Sequence, residues 1–327
     1  MKRLSLLIVA ASALTSCLLS SCEKKVKVGI LQPVQHEALD VAREGFMEGL
    51  AEKGYDKSKV KFVYRNAGGK EANISSYAKD LVSRTDLYLG IGTGASVALK
   101  SAASDKGLTK PLLFTAVTDP VDAKLVEKIE NGSGFVTGAS DMQPIAEQIG
   151  LIKACSPEVD KVGILYTSSE SNSEAQAKIA EAALTLNGIT TIKQTCTGPS
   201  DVNSAALALA STEGIDAIYI PTDNNIAANT DAVKTAVAGK GVLVVTGEEG
   251  MMKGCGHVTL SINYKELGKV TGRMAAEILA TGKSAGELPV KVMSAEECNW
   301  VMSSANCANA GITLPESVAS KCTDLSK

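Results

Sequence analysis

Val28-Gly29-Ile30-Leu31, carried behind Lys27, returns letter for letter as Val162-Gly163-Ile164-Leu165 behind Lys161. Each copy runs into a short polar loop and then an amphipathic helix, expected over 38–50 and 175–186. Outward from these two strands the echo continues. Asp86-Leu87-Tyr88-Leu89 is answered by Asp216-Ala217-Ile218-Tyr219, and Lys110-Pro111-Leu112-Leu113-Phe114 by Lys240-Gly241-Val242-Leu243-Val244. Three elements recur in one order at separations of 134, 130 and 130 residues. Strand, loop and helix alternate with short connections, the pattern of a parallel sheet covered by helices. The chain therefore reads as two similar α/β lobes.

The beginning of the chain reads as an address. Met1-Lys2-Arg3 is a basic head, Leu4 to Leu19 is apolar with small polar interruptions, and Leu19-Ser20-Ser21-Cys22 has the branched-small-small-Cys form of a bacterial lipoprotein signal. The run is too short to span a bilayer, which takes roughly 20 apolar residues. Leu14-Thr15-Ser16-Cys17 fits the same pattern, but charged residues follow Cys22 at once, so Cys22 is the expected lipidation site and 1–21 the signal peptide. Such a chain is exported and lipid-anchored to the cell membrane. Loss of residues 1–21 removes Lys2 and Arg3 and no acid, moving the net charge from −3 to −5. A mildly acidic body without a Lys/Arg block argues against nucleic acid, whose binding needs basic surface to displace counterions. Hydrophobic content of 45% with 4% aromatics points to cores of Val, Ile, Leu and Ala.

Six cysteines follow Cys22, and in an exported protein we expect at least one disulfide, Cys298–Cys307 being the nearest pair in sequence. With two histidines and no Cys-x-x-Cys, no metal site and no cofactor are expected.

Ligands of such sheets collect beyond the carboxyl ends of the strands. That rule selects the loop 32–37 with Gln35 and His36, the loop 92–96 with Thr93, Gly94 and Ala95, and the loop 115–120 with Thr115, Thr118 and Asp119. Gly90-Ile91-Gly92-Thr93-Gly94 follows a strand and opens a helix, yet it is the third strand of its lobe and its third glycine is misplaced for a dinucleotide fingerprint. It reads better as backbone N–H groups facing a small anion such as a carboxylate. Thr118-Asp119-Pro120 reads equally as helix punctuation and as cleft lining. In the second lobe, Tyr166 ends the repeated strand. Ser171, Asn172 and Ser173 lie in a polar run longer than the capping box Ser171-x-x-Glu174 requires. Thr222 and Asp223 follow the next strand; Asp223 either caps a helix or serves as counter-ion for a ligand ammonium. Glu248 or Glu249 is placed to serve likewise. Crossings between lobes are expected at 134–140, 257–264 and 289–293. That gives lobe 1 as 22–138 with 258–289, and lobe 2 as 139–257 with 290–327.

The stretch 27–31 with its helix, Phe114-Thr115-Ala116-Val117-Thr118-Asp119-Pro120-Val121, Pro221-Thr222-Asp223-Asn224 and Ser261-Ile262-Asn263-Tyr264-Lys265-Glu266-Leu267-Gly268 together resemble the substrate-binding lipoproteins of ABC importers, in the group of tryptophan- and tyrosine-binding proteins. The resemblance covers essentially the whole mature chain. It implies two Rossmann-like lobes joined by a three-strand hinge (the type I periplasmic-binding fold), closure on a ligand, and delivery to a permease. It further implies an aromatic amino acid as ligand, and Asn263, in the expected second crossing, is a further candidate ligand-binding residue. A monomer binding one small molecule is expected. A sugar, nucleoside or peptide-like solute is the alternative, although a sugar needs flat aromatic platforms and the loops offer few. No Gly-x-Ser-x-Gly elbow, His-Glu-x-x-His or P-loop is present, so no enzyme is expected.

Overall fold

The computed structural model describes residues 25–326; the signal segment and Cys22 lie outside them. In chain order the elements are β1 (Val26–Gln32), α1 (Glu37–Glu52), β2 (Val60–Asn66), α2 (Glu71–Arg84), β3 (Leu87–Ile91), α3 (Thr93–Asp105), β4 (Leu112–Val117) and β5 (Val136–Ser140). There follow α4 (Ile145–Cys155), β6 (Lys161–Thr167), α5 (Ser171–Leu186), β7 (Thr190–Cys196), α6 (Val202–Ala210), β8 (Ala217–Ile220), α7 (Asn224–Ala227), α8 (Thr230–Val237) and β9 (Leu243–Thr246). The chain ends through α9 (Glu249–Gly254), β10 (Val258–Ile262), α10 (Tyr264–Thr281), β11 (Lys291–Val292), β12 (Cys298–Met302), α11 (Ser304–Ala310), α12 (Glu316–Ala319) and β13 (Thr323–Asp324).

Two sheets form, in the orders β11-β5-β4-β3-β1-β2 and β13-β12-β10-β9-β8-β6-β7. Stripped of the late strands, both have the same spatial order. The repeated tetrapeptides are β1 and β6, each flanked by the next two strands of its lobe. Strands buried on both faces need continuous apolar runs, and β3 and β4 are buried along their whole length. The late strands differ: β11 adds parallel to β5, while β12 pairs antiparallel with β10.

The first and third crossings between lobes fall slightly later than the sequence suggests, and the second lies within the expected 257–264. β5 sits in the first sheet and β10 in the second, so the chain crosses at 141–144, at Asn263 and at 293–297. The segment after Asp119 is also not the expected helix but a run of turns, with Asp119 accepting from Val121 N at 3.0 Å and Asp122 N at 2.9 Å.

Helix α10 returns to pack along α1 in the first lobe. Gly45 and Gly49 on α1 face Gly268 and Gly272 on α10, and a Cβ at any of the four would stand well inside van der Waals contact of a backbone carbonyl opposite. The rim of this seam carries ion pairs, among them Lys265–Glu48 at 2.9 Å and Arg273–Glu52 at 2.8 Å.

All six described cysteines are free, against the expected disulfide. β12 holds Cys298 about 13 Å from the strand end at which α11 begins, whereas a bridge needs Cα atoms within roughly 7 Å. Each sulfur is turned to a carbonyl instead, Cys298 to Ser294 O and Cys307 to His257 O. Burial pushes both thiols up to about 11. Among the described residues no helix is long and apolar enough to cross a membrane.

Candidate functional site

The carboxyl ends of both sheets face each other across a cleft, and three contacts hold its walls together. His36 Nε2 meets Asn224 Oδ1 at 3.1 Å, Gln176 Nε2 donates to Thr118 Oγ1 at 3.2 Å, and Lys253 pairs with Glu37. The enclosed space has three parts. A mouth of about 190 Å³ is lined by Pro33, Gly94, Ser171 and Asn172, and a hinge-side recess of about 170 Å³ by Glu248, Asn263 and Lys265. Between them lies a niche of about 20 Å³ walled by His36, Thr118, Asp141, Asp223, Glu248 and Tyr264.

Most of the residues expected from sequence come to these walls. His36, Thr93, Thr118, Asn172, Thr222, Asp223 and Glu248 line the niche, Gly94 and Ser171 the mouth, and Asn263 the recess, where its side chain accepts from Glu266 N at 3.0 Å to start α10. Six are not among the lining residues. Gln35 is exposed on its loop and Ala95 is buried in the core beneath α3. Thr115 is buried in β4, Asp119 is used in its turn, Tyr166 packs on the second lobe's core, and Ser173 donates to Thr222 O at 2.9 Å. The capping box of Ser171 and Glu174 does not form either. Glu170 is the residue before α5, and Glu174 pairs along the helix with Lys178 at 2.8 Å.

Four acids with restricted access to water lie here, Asp141, Asp223 and Glu248 on the niche and Glu170 on the adjoining mouth, and three of them are spent on the fold. Asp223, 3% exposed, accepts from Thr167 N at 2.6 Å and Thr167 Oγ1 at 2.8 Å, and caps α7 through Ile226 N at 2.9 Å. Glu248, 2% exposed, caps α9 through Gly250 N and through Met251 N at 2.6 Å. Glu170 accepts from Asn224 N at 3.0 Å, Asn224 Nδ2 at 2.6 Å and Asn225 N at 2.9 Å. Burial raises all three above the usual carboxylate range, and the Asp223 charge raises Glu170 further.

The fourth acid, Asp141, was not anticipated from the sequence. Asp141 lies on the first crossing and is 4% exposed; its Oδ2 accepts from the Tyr264 hydroxyl at 2.6 Å. Tyr264 in turn accepts from Gln143 Nε2 at 3.3 Å, so the first two crossings are stitched to each other. Asp141 Oδ1 is sealed from water with no hydrogen-bond partner, and so is His36 Nδ1. Burial pushes Asp141 up, while the Tyr264 and Thr118 hydroxyls draw it back. Burial also pushes the His36 imidazole below its usual range. Beside them Ala116 has φ = 55°, a left-handed backbone that is unusual for a residue with a Cβ and recurs at functional sites.

Asp141 was within reach of sequence reasoning. It follows a strand, where the carboxyl-end rule looks for ligands, but Val136-Thr137-Gly138-Ala139-Ser140 is too rich in small residues to announce itself as one. Gly138 is required there because a Cβ would collide with Phe114.

A family model described as ABC transporter substrate binding protein matches residues 27–325. The tyrosine-binding protein of Clostridioides difficile (strain R20291) is 33% identical over 277 residues, 84% of this chain and 78% of that protein. The crystal structure of an ABC domain from Streptococcus pneumonia in complex with L-Trp aligns with a TM-score of 0.85 at 33% identity, covering 92% of this chain and 99% of that one. The ligand-free, open structure of a substrate-binding protein with adhesive properties from Clostridium difficile covers the same shares at 30% identity, with a TM-score of 0.68.

Proposed function

The chain belongs to the ABC transporter substrate-binding protein family, and from that premise we propose that it captures a free aromatic amino acid between its lobes for an ABC permease. The observation that carries this reading is a closed cleft with an unpartnered buried carboxylate oxygen at its centre. Such an oxygen is costly to leave alone and suits a cationic head group. The same chain aligns better with the L-Trp complex than with the open, ligand-free relative at equal coverage, which supports a closed arrangement of the lobes. Tyrosine and tryptophan, in the names of the two relatives at 33% identity, suggest the ligand class. The ligand carboxylate would meet the starts of α3 and α5, where Gly94, Ser171 and Asn172 line the mouth.

The protein acts as a binder rather than a catalyst and works as a monomer. Membership of this family makes it extracytoplasmic, and Cys22 would carry the lipid that tethers it to the cell membrane. A sugar is less well served. Among the niche-lining residues Tyr264 is the one phenyl ring, and its hydroxyl is committed to Asp141. Calorimetric titration with the twenty L-amino acids, sugars and nucleosides is the test. Binding of L-tryptophan or L-tyrosine at micromolar or lower Kd is expected; a protein that takes only sugars or nucleosides would end this reading.

A further inference from the structure

We propose that Asp141 Oδ1 and His36 Nδ1 are the paired acceptors for the ligand's α-ammonium, with Glu170 as the positioning residue that makes His36 an acceptor. This rests on the amino-acid reading above and assigns its cationic end.

Elimination supplies the first step. Asp223 and Glu248 on the niche and Glu170 on the mouth direct their carboxylates to backbone N–H groups at the starts of α7 and α9 and to Thr167. Asp141 alone among these four keeps an oxygen without a partner. A carboxylate sealed from water is stable beside a cation and costly without one.

The second step is the histidine. The Asn224 amide nitrogen donates to Glu170 Oε2, which leaves the amide oxygen turned to His36 Nε2. An amide oxygen only accepts, so Nε2 must carry the hydrogen. In a neutral ring Nδ1 then holds a free lone pair, and Nδ1 is the second sealed atom without a partner. Glu170, through Asn224, thus sets the tautomer across the cleft. Without it the Asn224 amide is free to turn, and His36 can present a donor to the niche, which would repel an ammonium.

Size agrees. The niche of about 20 Å³ has room for one water-sized group, which an –NH₃⁺ head is and an aromatic side chain is not. The rest of the ligand would extend into the adjoining mouth of about 190 Å³, which shares Asn172 and Asn224 with the niche. Because Asp141 lies on the first crossing and is bonded to Tyr264 just past the second, a cation seated here grips the hinge itself.

The experiment compares L-tryptophan with indole-3-propionate, which lacks only the amino group, on wild type, Asp141→Asn and His36→Leu. Wild type should prefer tryptophan by about 100-fold or more, the scale of truncating one partner of a buried charge pair. Asp141→Asn should remove most of that preference, and His36→Leu about tenfold of it, while indole-3-propionate binding changes less than about threefold. Glu170→Ala, which removes the acceptor for the Asn224 amide nitrogen, should lower tryptophan affinity and leave indole-3-propionate unaffected. Equal losses for both compounds in Asp141→Asn, or no loss, would overturn the assignment with the amino-acid reading intact. Wild type that binds no amino acid would instead refute the reading beneath it. Should Asp141→Asn fail to fold, His36→Leu carries the same comparison.

Discussion

At single residues, the buried titratable groups make the ligand-free protein sensitive to pH in two opposite ways. Glu248 is pushed by burial from 4.5 up to about 7, and His257, whose Nδ1 accepts from Val244 N at 2.8 Å, is pushed from 6.5 down to about 4. A raised acid gives its full stability below 4.5 and loses it as pH climbs through 7. A lowered base gives its full stability above 6.5 and loses it as pH falls through 4. Each limb spans roughly 3 kcal/mol at one tenfold change per 1.4 kcal/mol. Between pH 4.5 and 6.5 these two contributions offset each other, and above 6.5 the raised acids, Glu170 (pushed up to about 8) among them, are unopposed, so we expect the Tm of the ligand-free protein to fall most steeply as pH climbs past 6.5. Glu248→Gln should flatten the alkaline limb and spare the acid one, as thermal melts across pH 4 to 8 would show. An unchanged alkaline limb would mean that Glu248 ionises in the fold as it does in water.

Among the elements, the seam between α1 and α10 depends on what is missing from its side chains. Alanine normally stabilises a helix by about 1 kcal/mol over glycine, and Gly150 on α4, where an added Cβ would meet nothing within 4 Å, should follow that rule. Gly45→Ala and Gly268→Ala should reverse it, costing about 1–3 kcal/mol as the added methyl forces the helices apart. Urea midpoints for the three variants make the comparison, and a stabilised Gly268→Ala would show that the seam yields. The strands and their pairing were largely legible, because β1, β3, β4, β6, β8 and β9 are apolar runs whose order repeats. The seam was not. A glycine inside a helical pattern says nothing of its partner until tertiary structure brings α10 back across some 200 residues. β5 escaped for a related reason: its small residues are chosen by Phe114 lying over them, not by a strand pattern.

For the whole molecule, the cleft is closed by few and modest contacts. Lys253–Glu37 is exposed by about a third to a half, so its screened attraction is worth at most about 1 kcal/mol. Glu37→Lys should then weaken ligand affinity by less than about fivefold. X-ray scattering should show the radius of gyration falling when L-tryptophan is added, and a profile indifferent to every amino acid would remove lobe closure from the mechanism. Loops at the strand ends could be picked from sequence, and they hold His36, Thr93, Thr118, Thr222 and Asp223. Which acid is left for a ligand could not. Asp223 and Asp141 look alike in a sequence, and only the hydrogen bonds of Thr167 and Ile226 tell them apart.

The late strand β11 pairs Lys291 with Ala139, and α10 covers a sheet whose other strands end at Ser140. During synthesis, then, the first lobe cannot complete its edge or its α1 cover until about 150 further residues have emerged. The intervening stretch already encodes most of the second lobe. A polypeptide arranged in this way suits export as an open thread, since completion of its first lobe waits on segments that follow most of the second.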